Sequence, residues 1–177
     1  MLSSQNIDEP GFVNIQYNSF LFNVTLLPQI EFDLVFHIGA FTPKSGAEGN
    51  DHEKSTSNIY FTQSLLNALH NQCKKIIFLS TLDVYSSKEE IITEESIISP
   101  ISLYAHSKYY CEKLIEAWAN LHSCAYQILR IGHIYGPGEE SYKKIIPVTI
   151  KNVLKGQSPK FMAKEMKRGH FFLLMIV

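Results

Sequence analysis

Two pairs at the spacing Tyr-x-x-x-Lys, Tyr104/Lys108 and Tyr109/Lys113, are the residues of this chain best suited to proton chemistry. A free tyrosine has a pKa of about 10 and is a poor base at pH 7. A lysine ammonium one helical turn away favours the phenolate, and a cationic ring nearby favours it further. Lowering the pKa by about three units takes about 4 kcal/mol of differential interaction. A tyrosine tuned in this way can remove a hydroxyl proton while hydride leaves the same carbon. A third group is needed on the reacting oxygen, and Thr81, at the end of an apolar run, is suitably placed.

Both pairs fall on one predicted helix, from about Leu103 to His122, and helical periodicity separates them. At about 100° per residue, with Tyr104 at zero, Lys108 lies near about 40°, Ile115 near about 20° and Trp118 near about 320°. Tyr104 and Lys108 therefore border the apolar stripe that should face a sheet. Tyr109 and Lys113 fall near about 140° and about 180°, beside Glu116 and Asn120 on the solvated face. The first pair can point into a site. The second decorates the surface.

The elements that would carry the pair alternate in type. Asp33 to Gly39 is a short apolar run ending in small residues, as expected of a buried parallel strand. Ser57 to Asn71 carries apolar residues at helical spacing, with Ser57 as the expected N-cap. Lys75 to Ser80 and Ala125 to Ile131 are further strand-like runs, separated by a polar loop with Glu89, Glu90, Glu94 and Glu95 and by the Leu103–His122 helix. Gly136-Pro137-Gly138 then breaks the chain. Strand, helix, strand, helix, strand with crossovers of this length favours an α/β fold, a parallel sheet with flanking helices. Ligands of such sheets sit beyond the carboxyl ends of the strands, here Gly39-Ala40, Ser80-Thr81 and Ile131-Gly132-His133.

Composition excludes several classes. The 16 basic and 17 acidic residues give a formal net charge of −1, with no electrostatic footprint for nucleic acid or an anionic membrane. Cys73, Cys111 and Cys124 are three in number and lack C-x-x-C spacing, so reduced thiols in a cytoplasmic protein are expected, with neither a disulfide framework nor a metal site. Met1 to Pro10 has no secretory pattern, and the most apolar run, Phe171 to Val177, is far short of the ~20 residues that span a bilayer.

Five segments, in order, resemble the NAD-dependent epimerase/dehydratase branch of the extended short-chain dehydrogenase/reductases. Asp33-Leu-Val-Phe-His-Ile-Gly-Ala40 is similar to that family's D-x-V-x-H-x-A-A strand, and Asn58-Ile-Tyr-Phe-Thr62 to its N-V-x-G-T helix start. Leu79-Ser-Thr-Leu-Asp-Val-Tyr85 resembles S-[ST]-x-x-V-Y. Ile92-Thr-Glu-Glu95, Ser99-Pro100 and Tyr104-Ala-His-Ser-Lys108 resemble the E…P-x-x-x-Y-x-x-S-K stretch, and Leu129 to Gly138 resembles L-R-x-x-N-V-Y-G-P-G. The resemblance implies a Rossmann-like, doubly wound fold and an epimerase, dehydratase or related oxidoreductase acting on a nucleotide sugar with NAD or NADP. It implies Tyr104 as acid/base, Lys108 as the residue that lowers its pKa and holds the nicotinamide ribose, and Thr81 as catalytic and substrate-orienting. Gly39, Ala40, Ser80 and Ile131 would line the cofactor. His133 stands where the family has an asparagine near substrate.

The family's first β-α-β unit carries a G-x-x-G-x-x-G turn that brings backbone N–H groups to the pyrophosphate. No such cluster precedes Asp33, and only Gly11 lies in residues 1–32. The expected organisation is a divergent segment at 1–32, the central part of the NAD(P)-binding domain at 33–138, and the start of a truncated substrate-binding region at 139–177. Uncovered apolar sheet edges and helix faces are expected with it, and so is a tendency to self-associate, a homo-oligomer being one form of that. Two other readings stay open: a non-catalytic remnant of the family, and a partner-binding module.

Overall fold

The computed structural model describes residues 2–3, 15–16, 27, 30–44, 46–69, 72–86, 88, 91–136, 145–158 and 171–173. Its centre is a three-stranded parallel sheet of β3 (Val35–His37), β4 (Lys75–Thr81) and β5 (Ala125–Ile131), in the order β3-β4-β5. Helix α1 (His52–Leu69) connects the first two strands and α2 (Leu103–Leu121) the second two. The register runs Val35↔Ile76 to His37↔Phe78 and Lys75↔Ala125 to Thr81↔Ile131. Two short parallel pairs flank this centre: β1 (Leu2–Ser3) with β2 (Ile15–Gln16), and β6 (His133–Tyr135) with β7 (Phe171–Leu173). A third helix, α3, spans Ile145–Leu154.

The alternation expected from the sequence is therefore present, and β5 has the bounds its apolar run suggested. β3 is shorter than the Asp33–Gly39 run, although Phe32 adds an isolated bridge to Cys73. Burial also differs from expectation. Helices α1 and α2 pack side by side on one face of the sheet, where Leu65, Leu66, Leu69, Ile76, Phe78, Cys111, Ile115 and Ala119 form one core. On the other face Phe36 is 56% exposed and Ile38 61%, so β3 is buried on one side only. Residues 12–14 and 17–26, Glu89, Glu90, Pro137, Gly138, 164–170 and 174–177 lie outside the described residues.

Capping fixes the two helices. Ser57 does not cap α1: it sits inside the helix and its hydroxyl donates to the Lys54 carbonyl. Asp51 does the capping, its Oδ1 accepting the Lys54 N–H at 3.0 Å, because a carboxylate at the helix start satisfies an otherwise orphaned donor. For α2, Ser102 Oγ accepts the Ala105 N–H at 3.1 Å and Asn50 Oδ1 the Leu103 N–H at 3.2 Å. Ser102→Ala is expected to lower stability by about 1 kcal/mol in urea unfolding, the usual cost of a lost N-cap. A loss well below that would show that Asn50 alone anchors the helix that carries Tyr104. At the other end Ser123 takes φ of 53°, and the Cys124 N–H reaches back to the Ala119 carbonyl at 2.9 Å. This left-handed stop turns the chain directly into β5.

Candidate active site

The carboxyl ends of β3, β4 and β5 lie side by side, and α2 runs past them. The helical-face argument holds. Tyr104 and Lys108 are 7% and 2% exposed, whereas Lys113 faces solvent and pairs with Glu116 at 2.8 Å.

Tyr104 meets three neighbours. Its ring packs edge-on against Phe41, with centroids 6.2 Å apart, and its hydroxyl lies near the Thr42 and Thr81 side chains, both of which favour the phenolate. Thr81, the last residue of β4, also accepts the Asp83 N–H at 3.2 Å, which holds the turn at 82–84 against the strand end. Burial pushes the Tyr104 phenol above its ordinary value and Asp83 adds to the rise, while the two threonine side chains oppose it. This differs from the expected depression by Lys108, and the reason is geometric. The Lys108 ammonium points down against β4, donating to the Leu79 carbonyl at 2.6 Å and lying 4.1 Å from the Phe78 ring centroid. Burial pushes Lys108 down to about 8, with Cys111 and Glu112 acting in the opposite direction.

The loop that carries Phe41 and Thr42 is clamped by a residue whose role the sequence reading did not specify. Buried Asn58 accepts the Phe41 N–H at 2.7 Å and donates to the Phe41 carbonyl at 3.3 Å and to Ser107 Oγ at 3.2 Å. Ser107 in turn donates to the Tyr104 carbonyl at 2.8 Å. One side-chain amide thus ties the end of β3 to the turn of α2 that bears the tyrosine. Below it lies a second polar chain. His37 Nε2 is 2.8 Å from Thr62 Oγ1, which donates to Cys111 Sγ at 3.3 Å, and that thiol donates to the Asn58 carbonyl at 3.4 Å. Since the threonine proton goes to sulfur, the imidazole is the donor to Thr62. Burial holds His37 down at about 3, with the Lys108 charge contributing.

The other sequence-predicted residues are placed as follows. Gly39 follows β3, and a Cβ there would lie 3.0 Å from Phe61 Cε1, so any side chain would require that ring to give by a few tenths of an ångström. Ala40 is exposed beside it, and Ile131 is the register partner of Thr81. Ser80 is buried near the end of β4, and its hydroxyl donates to Glu112 at 2.5 Å. His133 is exposed on β6, opposite Phe171.

The donor set at Lys108 fits a nicotinamide ribose. Of the three ammonium N–H groups one is committed to Leu79, which leaves two for a diol in a buried setting. Among the described residues no group of three metal-ligating side chains occurs, and no helix is long and apolar enough to cross a membrane.

Residues 5–170 match the model of the NAD dependent epimerase/dehydratase family. An uncharacterized UDP-glucose epimerase of Bacillus subtilis is 32% identical over 107 residues, which cover 59% of this chain and 34% of that protein. A dTDP-glucose 4,6-dehydratase of Mycobacterium tuberculosis is 29% identical over 134 residues, covering 73% of this chain and 40% of its own length. Among solved structures, the UDP-glucuronic acid 4-epimerase of Bacillus cereus in complex with UDP-glucuronic acid and NAD superposes with a TM-score of 0.76 at 26% identity, covering 93% of this chain and 52% of that one. The chain therefore spans between about a third and a half of the length of these relatives.

Proposed function

The chain belongs to the NAD-dependent epimerase/dehydratase family, and from that premise we propose that it takes part in NAD-dependent epimerisation or dehydration of a nucleotide sugar, with Tyr104 as acid/base. The observation that carries this reading is the convergence of Thr81, Tyr104 and Lys108, all three buried, with the Thr81 side chain near the Tyr104 hydroxyl and Lys108 one helical turn away. NAD rather than NADP, and a nucleotide sugar as substrate, are inferred from relatives named for UDP- and dTDP-sugars and from the neighbour solved with NAD.

When bound, the nicotinamide supplies a hydride acceptor and donor. The chain's residues do the rest. Tyr104 would act as the phenolate to take a proton from a sugar hydroxyl, and as the phenol so formed return it to the sugar oxygen when hydride comes back. Thr81 orients that oxygen by donating a hydrogen bond once its contact with Tyr104 is exchanged for substrate. Lys108 would hold the ribose diol with its two remaining N–H groups, and its charge beside the site would favour the phenolate. Residues 139–177 would begin the sugar-binding region.

Calorimetric titration of the purified chain with NAD tests the reading. Saturable binding that is weakened about tenfold or more in Lys108→Met is expected, since two charge-assisted hydrogen bonds are lost. The second reading is a non-catalytic member of the family, since residues 1–32 contain Gly11 as their one glycine and so no G-x-x-G-x-x-G turn. No heat of binding at millimolar NAD would decide for it.

A further inference from the structure

We propose that Glu112 is a positioning residue for the site, locking the carboxyl ends of β4 and β5 to the helix turn that carries Lys108. The inference rests on the site reading above but not on turnover. Glu112 is 1% exposed, and every donor around it comes from the sheet. Oε1 accepts Ser80 Oγ at 2.5 Å and Arg130 Nε at 3.1 Å, while Oε2 accepts Arg130 Nη2 at 2.7 Å and Nε at 3.3 Å. Arg130 also donates through Nη1 to the Tyr85 hydroxyl at 2.7 Å, with its guanidinium 4.7 Å from that ring's centroid.

The location gives this network its meaning. Ser80 and Arg130 are cross-strand partners, and the next pair in register is Thr81↔Ile131, where the strands end at the site. Glu112 is four residues beyond Lys108, so the two share a helix face one turn apart. Leu79, whose carbonyl takes the Lys108 ammonium, immediately precedes Ser80. A single carboxylate therefore fixes how far α2 stands from β4 and how it is rotated, at the turn next to the lysine. Tyr85 extends the hold to the segment after Thr81, whose turn is closed by the Tyr85 N–H on the Leu82 carbonyl at 3.0 Å.

Stability alone does not account for the arrangement. A buried ion pair commonly contributes little more than well-packed apolar residues of similar volume, because desolvating two charges offsets their attraction. What the pair does supply is direction: the planar guanidinium fork meets a carboxylate in one geometry. The charged and titratable groups around Lys108 are His37 on β3, Cys111 and Glu112 on its own helix, and Arg130 on β5 behind Glu112.

The test follows the Lys108 side chain by NMR in the full chain labelled with ¹³C,¹⁵N-lysine, the signal being assigned with Lys108→Arg. Glu112→Gln should lower the Lys108 titration midpoint from about 8 by about one pH unit. Arg130→Lys keeps the charge but loses the fork, and Ser80→Ala keeps both ions but frees β4. Each should move the midpoint by at least about 0.3 unit. Glu116→Gln, on the solvated face, should leave it in place. A midpoint that shifts in Glu112→Gln and stays fixed in the other two would reduce Glu112 to a through-space charge and overturn the positioning role. So would a midpoint fixed in all three. If Glu112→Gln does not fold, Arg130→Lys and Ser80→Ala decide. None of these readouts needs bound cofactor or turnover, so an inactive chain leaves the inference standing and a fixed Lys108 leaves the proposed reaction standing.

Discussion

Tyr104→Phe is expected to lower kcat about 10²–10⁴-fold, the usual contribution of a positioned acid/base, with NAD affinity changed by no more than about twofold. The substitution is nearly isosteric at a buried position, so the ring keeps its edge contact with Phe41 and only the hydroxyl is lost. Stability should change by no more than about 1 kcal/mol, the usual worth of one hydroxyl at a buried position. Tyr109→Phe is the matched control. It removes the same atom from the same helix at the same Tyr-x-x-x-Lys spacing, on the face where Lys113 bonds Glu116, and should leave kcat unchanged. Turnover above about a tenth of wild type in Tyr104→Phe would sink the acid/base assignment, since Thr81 or water would then carry the proton.

A second large effect concerns acid. His37 titrates at about 3 in the folded chain against an ordinary value of 6.5, chiefly because burial disfavours its cation. The unfolded chain binds this proton below pH 6.5 and the folded chain does not, so stability is intact above that pH and is lost as pH falls towards 3. The slope is about 1.4 kcal/mol per pH unit and the whole loss about 5 kcal/mol, comparable with the net stability of many domains. Urea unfolding between pH 6.5 and 5, above most carboxylate titrations, should show a loss of about 2 kcal/mol. His37→Gln, which can still donate to Thr62, should flatten this slope. An equal slope in the variant would place the acid sensitivity elsewhere.

The sequence made the outline of the site legible because helical periodicity is a strong signal over a long element. It separated Tyr104/Lys108 from the Tyr109/Lys113 decoy by angle alone, and burial of the first pair follows from the stripe that ends in Ile115 and Ala119. Apolar runs located β4 and β5 well because backbone pairing is continuous there. The N-cap of α1 was misplaced at Ser57 because Asp51, a better acceptor, stands before His52, Glu53 and Lys54, whose polarity hid the first turn of the helix. Glu112 gave a faint signal that went unread: an acidic residue about 40° from Lys108 on a buried flank calls for a cation from elsewhere in the fold. That the cation would be Arg130, forty-odd positions from Tyr85 and eighteen from Glu112, depends on strand register, which spacing along the chain does not encode. The phenol of Tyr104 rises rather than falls for a related reason. Desolvation and the side-chain direction of Lys108 are properties of packing.

Phe78 has a consequence for how this protein can change over generations. Its ring lies beneath the Lys108 ammonium and is tilted against His37 at 5.0 Å, so one residue touches both the lysine of the proposed site and the histidine behind the core's acid sensitivity. Aliphatic replacements would fill much of the volume and yet strip the lysine of its π-face. Drift at position 78 therefore lacks a neutral path, and a library selected for stability alone should diverge there from one selected for turnover. Lineages without the proposed chemistry would be free to exchange this ring for leucine or methionine, and position 78 would then report on whether that chemistry is under selection.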